Sequence, residues 1–95
     1  MKFYIYVAYD KKLGCFLKPN FSEFGIENSL ESLKRSFKVL PEDQKTKVID
    51  LDYYFCGTFD DNDGLFDLDK KLLCSASDYI SLKTNGVDNG KVQES

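Results

Sequence analysis

Two stretches of this chain alternate in a way that only a β-strand exploits. Residues 3–9, Phe-Tyr-Ile-Tyr-Val-Ala-Tyr, and residues 51–59, Leu-Asp-Tyr-Tyr-Phe-Cys-Gly-Thr-Phe, are dense in β-branched and aromatic side chains. Such side chains fit a pleated, half-buried surface. Both stretches are followed by a turn and a returning apolar run. Asp10-Lys11-Lys12-Leu13-Gly14 leads back into Cys15-Phe16-Leu17, which Pro19-Asn20 stops. Asp60-Asp61-Asn62-Asp63-Gly64 leads back into Leu65-Phe66-Asp67-Leu68. Asp, Asn and Gly suit such turns because they tolerate left-handed backbone and bond locally to it. Two antiparallel hairpins are the minimum scaffold. A further strand is expected at 71–75, with Asp78-Tyr79-Ile80 as strand or helical turn.

Between the hairpins the period changes to that of a helix. Leu30, Leu33, Phe37 and Leu40 form one apolar stripe at spacings of three and four. Asn28 is placed to cap the helix, with Glu31 three residues on in capping-box position. Lys34, Arg35 and Lys38 lie off the stripe near the C-terminal end, which the helix dipole favours. Pro41 ends the helix, and 41–49 is polar with room for a short extra helical turn. One helix against an antiparallel sheet is a stable two-layer solution. The expected fold is therefore α+β, an antiparallel sheet of about 4–5 strands with one helix on one face. It occupies residues 1–83 as a single domain. From Thr84 the chain is rich in Asn, Gly and Ser, and 84–95 reads as a disordered tail.

Composition narrows the function classes. At 42% hydrophobic and 15% aromatic, with eight Phe, six Tyr and no Trp, the chain is too apolar to be disordered. No apolar run approaches the roughly 20 residues that span a bilayer, and no secretory signal pattern follows the first strand. A membrane partner is not expected, and the expected location is cytoplasm. Cys15, Cys56 and Cys74 have no CxxC spacing and lie in apolar surroundings, which reads as buried small hydrophobes. There is no His, so general-base chemistry and an ordinary zinc site lack their usual residues. No nucleophile elbow and no phosphate-cradling glycine loop is present. The Asp60–Gly64 turn fails as a calcium loop. With Gly64 at position six, position one is Phe59 and position twelve is Lys70. No enzyme activity, cofactor or metal is expected. The chain binds something.

Charge is unevenly distributed. Residues 1–47 carry nine Lys/Arg against six Asp/Glu, and residues 48–69 carry none against seven Asp. Lys11 and Lys12 on the first turn and Lys34, Arg35 and Lys38 on the helix are candidate phosphate contacts, since phosphate binding rewards local cation density. An ordinary solvated surface is the simpler explanation of them. Asp60, Asp61, Asp63, Asp67 and Asp69 form an acidic hairpin, the natural surface of the alternative function, a module that docks on a host or viral protein. The strand faces suggest a third feature. Alternation places Tyr4 and Tyr6 on one face of the first strand and Tyr54 opposite Leu51, Tyr53, Phe55 and Phe59 in the second. If one helix covers one face, Tyr4, Tyr6 and Tyr54 are left to stack unpaired bases, to bury against a second copy, or to lie beneath the chain after residue 70.

The same residues resemble a known family. Tyr9-Asp10-Lys11-Lys12 after an aromatic strand, the Asn28–Leu40 helix, the run Asp52-Tyr53-Tyr54-Phe55-Cys56-Gly57-Thr58-Phe59-Asp60-Asp61-Asn62-Asp63-Gly64, and Leu72-Leu73-Cys74-Ser75-Ala76 are similar to small nonstructural proteins of gokushovirus-type microviruses. These are bacteriophages with circular single-stranded DNA. The resemblance spans roughly residues 3–82. It implies a protein of the infected host's cytoplasm that stands outside the capsid shell and assists genome replication. The implied step is the switch to single-strand synthesis and packaging. Single-stranded DNA, a replication protein and a second copy of the chain are the implied or possible partners. It carries over no catalytic residue. The net charge of −3 argues against tight duplex binding.

Overall fold

The computed structural model describes residues 1–82, so the segment expected as a tail, 84–95, lies outside the described residues. The chain runs β1 (Lys2–Asp10), β2 (Cys15–Phe16), β3 (Asn20–Ser22), α1 (Ile26–Lys38), α2 (Glu42–Val48), β4 (Leu51–Asp60) and β5 (Leu65–Ser75), then a 3-10 turn, Ala76–Asp78. All strand pairs are antiparallel, in the order β2-β1-β4-β5, with β3 pairing β1 beyond β2. The α+β architecture with an antiparallel sheet is the one the alternation dictates.

Several local details differ. Helix α1 starts at Ile26, and its N-cap is Gly25 with no side-chain cap bond. Asn28 therefore lies inside the first turn, and no Asn28–Glu31 capping box forms. The entry is fixed instead by neighbouring groups. The Phe24 amide donates to Ser22 Oγ at 3.0 Å, and Ser29 Oγ donates to the Phe24 carbonyl at 3.3 Å. The polar segment after Pro41 forms a two-turn helix, α2, whose end supplies Val48 and Ile49 to the core. The two strands expected at 65–68 and 71–75 are one continuous strand, β5. Its central Asp-Leu-Asp-Lys-Lys looks like a break in sequence, but an edge strand can leave such side chains in water.

Both hairpin turns are built the same way. The Gly14 amide donates to the Asp10 carbonyl at 2.7 Å, and the Gly64 amide donates to the Asp60 carbonyl at 2.8 Å. Each glycine is left-handed, at φ 74° and 72°, where a Cβ is disfavoured. Asp10 Oδ1 accepts from the Lys12 and Leu13 amides, and Asp60 Oδ1 accepts from the Asn62 amide. The β1–β4 register, from Lys2↔Asp60 to Asp10↔Leu51, sets these turns at opposite ends of the sheet. Nine residues at about 3.3 Å each separate them by roughly 30 Å.

The larger part of the core lies between the helices and one face of the sheet, while Ile5 and Val7 are buried on the other face. Phe37, Cys74, Ala76 and Ile80 are buried on the helix side, with Leu30, Leu33, Leu40, Val48, Ile49 and Tyr53 packed around them. The expected helix stripe thus faces inward as its spacing requires. Phe37 stacks near-parallel on Tyr79 at 5.9 Å between ring centres and tilts against Tyr53 at 5.8 Å.

Candidate nucleic-acid interface

A single extra residue in β4 decides which aromatic rings share a face. Ile5 opposes Gly57, but the next β1 residue, Tyr6, opposes Phe55. Cys56 is therefore a bulge, and the register against β5 shifts at the same place. Gly57 adopts φ 133°, which only glycine holds comfortably. Directly opposed residues of antiparallel strands point the same way. Leu51, Tyr53 and Phe55 thus share the helix-covered face with Tyr6 and Ala8, while Gly57 and Phe59 cross to the other face with Ile5 and Phe3.

The register of β1 against β4 corrects the expected aromatic triad. Tyr4 and Tyr6 lie on the helix-covered side. Both rings sit tilted against Phe55, and the Tyr6 hydroxyl donates to the Phe24 carbonyl at 2.7 Å. Tyr54, opposite Val7, lies on the uncovered face. The three tyrosines do not form one platform.

The uncovered face has its own aromatic set, which strand alternation alone does not reveal. Phe16 opposes Tyr9, and Phe21 opposes Ile5. Those positions are separated by an odd number of residues, yet both point to this face, because the Leu17–Pro19 connection absorbs one residue. Phe16 meets Tyr9 edge-on at 4.8 Å and Tyr54 at 5.6 Å. Lys70 extends its ammonium over both Phe16 and Tyr54, at 4.9 and 5.5 Å from the ring centres. Beside them a shallow hollow of about 310 Å³ is floored by Ile5 and Val7 and edged by Phe16, Cys56 and Lys70. Further along, Phe59 packs on Phe66 at 4.7 Å, and Phe21 meets both edge-on. Phe16, Phe21 and Phe66 remain exposed.

The basic residues divide between two sides. Lys11 and Lys12 cap the end of the sheet next to the Tyr9–Phe16–Tyr54 group. Lys11 Nζ pairs with Asp52 Oδ1 at 3.5 Å, and this Asp52 oxygen, though buried, accepts no hydrogen bond. The contact is thus an ion pair without a hydrogen bond. Lys34, Arg35 and Lys38 ride on α1, on the far side of the sheet from Phe16 and Tyr54. Lys34 lies over the Tyr79 ring at 5.4 Å. No ion pair engages Lys12, Arg35 or Lys38 among the described residues.

The acidic residues are explained largely by the hairpin. Asp60 serves the turn amide already described, the Asp63 carboxylate accepts from the Leu65 amide at 3.0 Å, and Asp61 bonds the Met1 ammonium. Asp67 and Asp69 belong to the exposed run of β5. No cluster of three or more metal-binding side chains exists among the described residues. No described helix is long and apolar enough to cross a membrane.

The cysteines separate. Cys74 is buried, Cys56 is half-buried in the bulge, and Cys15 is exposed. The expectation of three buried thiols fails at Cys15 because β2 is a two-residue strand at the sheet's end, exposed at both residues. Burial pushes the Cys74 thiol up, with nearby Lys34 opposing, and burial raises the phenol of its strand partner Tyr53.

Comparison with curated proteins and with solved structures finds no match. A family model described as Phage ORF5 protein matches residues 3–79, which takes in both hairpins, both helices and the aromatic face. The chain belongs to the Phage ORF5 protein family.

Proposed function

We propose that this phage protein is a non-enzymatic accessory of genome replication that binds single-stranded DNA, acting in the host cytoplasm. The narrower resemblance to gokushovirus-type microviruses suggests the step, the switch to single-strand synthesis and packaging. The observation that carries the reading is the uncovered face, where Phe16 and Tyr54 stand exposed or half-exposed beneath the Lys70 ammonium, beside the Lys11–Lys12 turn. Unpaired bases stack on such rings without regard to sequence, while the cations follow the backbone. A duplex hides its base faces, so the same surface prefers single strands. The acidic turn stands at the opposite end of the sheet, and the one aspartate on this face beside Tyr54, Asp52, is paired with Lys11.

Fluorescence anisotropy with a labelled single-stranded oligonucleotide at two salt concentrations tests the reading. Binding should weaken steeply with salt. Phe16→Ala and Tyr54→Ala should each cost about 1–3 kcal/mol of affinity per stacked base lost. Lys12→Glu should flatten the salt dependence. Joint reversal of Lys34, Arg35 and Lys38 to Glu should act only through the longer-range field, because α1 lies behind the sheet. Absence of binding at low salt overturns the proposal.

A further inference from the structure

Strand β5 is the one long edge of the sheet, and nothing among the described residues pairs its outer side. Its first eight residues, Leu65 to Leu72, are all exposed, with Leu68 at 72% and Leu72 at 53%. Proteins ordinarily protect such an edge by shortness, proline or repelling charge. β5 is eleven residues long and has no proline. Its charges are sorted in a particular way. Asp67 and Asp69 come first, and Lys70 and Lys71 follow. A strand acidic in one half and basic in the next repels a parallel copy of itself and complements an antiparallel one.

The faces of β5 restrict the register. Phe66 and Leu68 oppose Phe59 and Gly57 on the uncovered face, and Leu72 opposes Tyr54 there. Lys70 reaches the same face. Even positions of β5 therefore point to the uncovered face, and odd positions from 65 to 71 to the helix side. A two-fold axis normal to the sheet keeps faces together, so only registers centred on a residue are allowed. Centred on Leu68, Asp67 meets Asp69 twice. Centred on Asp69, Asp67 meets Lys71 twice, but two aspartates meet on the axis and each Leu68 faces a Lys70. Centred on Lys70, Leu68 meets Leu72 and Asp69 meets Lys71, each twice. The one like pair, Lys70 with its own copy, is relieved because each ammonium is already drawn over Phe16 and Tyr54.

The geometry points to a homodimer in which β5 pairs antiparallel with β5 of a second copy, about a two-fold axis at Lys70. The two five-stranded sheets become one, with both aromatic faces on the same side and all helices on the other. This inference does not rest on nucleic-acid binding and is measured without DNA.

Sedimentation of the full chain over a range of concentrations should show a reversible dimer. Asp69→Lys and Lys71→Asp each place like charges opposite one another twice, and each should weaken the dimer by about tenfold or more. An equimolar mixture of the two variants should recover dimer, because every Lys then faces an Asp. A variant that simply failed to fold would not recover on mixing. Lys70→Cys, with Cys15→Ser to remove the exposed thiol, should form a disulfide-linked dimer on oxidation, since opposed Cα atoms lie within disulfide reach. Asp69→Cys in the same background should not. A monomer at the highest concentration overturns the proposal. So does a dimer that both single variants leave intact, or one that fails to reappear on mixing.

Discussion

Replacing Gly57 by Ala tests the feature that sorts the aromatic rings. At φ 133° the residue occupies a backbone region that side chains avoid, at a cost of about 1–3 kcal/mol. A Cβ there would also stand 2.8 Å from the Leu68 Cα and inside contact distance of the Asp67 carbonyl oxygen. Both are backbone atoms of the paired strand, so no side-chain rotation relieves the overlap. The strands must separate locally, which forfeits cross-strand packing as well. The combined loss should be about 3–5 kcal/mol, a large part of the roughly 5–15 kcal/mol that holds a domain. At about 4–8 °C per kcal/mol the melting temperature should fall by at least 12 °C. Gly64→Ala is the control. Gly64 is also left-handed, but an added Cβ meets nothing within 4 Å, so the cost should stay at about 1–2 kcal/mol. Urea denaturation followed by circular dichroism measures both. Equal destabilisation by the two substitutions, or a Gly57→Ala protein within about 0.5 kcal/mol of the parent, would refute the bulge and the face assignment built on it.

Two predictions concern the thiols and the alkaline limit. In the native protein a thiol reagent should modify Cys15 rapidly and leave Cys74 unmodified until the chain unfolds, as mass spectrometry of digested samples would show; equal rates contradict the burial described. Because burial raises both Cys74 and Tyr53 in the folded state, their contribution to stability is complete below the ordinary thiol and phenol pKa values. It is lost as pH climbs through the raised ones, since the unfolded chain ionises first. Denaturation midpoints should therefore fall on the alkaline side, and Cys74→Ala combined with Tyr53→Phe should flatten that fall. An unchanged alkaline slope in the double variant would place the sensitivity elsewhere.

The strands, the helix stripe and both turns were legible because each rests on local chemistry. Alternation marks β1 and β4, the spacing of Leu30, Leu33 and Phe37 marks α1, and Asp with Gly marks each turn. What was not legible is cumulative parity. Strict alternation carried from Leu51 to Phe59 puts Phe55 and Phe59 together, whereas the Cys56 bulge parts them; the register that pairs Tyr6 with Phe55 and Val7 with Tyr54 sets Tyr54 on the face opposite Tyr4 and Tyr6. One signal was present. A glycine inside a strand pattern marks a bulge or a close backbone approach, and Gly57 is both. Pro19 gave the corresponding hint for Phe21. The place of Lys70 has no local signal, because it depends on rings from two other strands. The Asn28 cap failed for a different reason. A side chain can cap only where the backbone turns, and the Ser22–Phe24 and Tyr6–Phe24 bonds set that turn three residues earlier.

The two turns give the strongest reason to assign the charge pattern to function. Asp10 and Gly14 close one turn, and Asp60 and Gly64 close the other, with the same backbone bond and the same acceptor role for the leading aspartate. The intervening residues are Lys11-Lys12-Leu13 in one and Asp61-Asn62-Asp63 in the other. Turn geometry therefore leaves the middle of the first turn largely free to carry charge of either sign, whereas in the second the Asp63 carboxylate also accepts from the Leu65 amide. Lys12 supplies the turn only with its amide, and any residue but proline could do that. Folding demands neither its ammonium nor the placing of basic and acidic turns at opposite ends of one sheet. Under the proposed function, an anionic ligand held against the Phe16–Tyr54 end accounts for the one, and keeping the acidic turn away from that ligand accounts for the other.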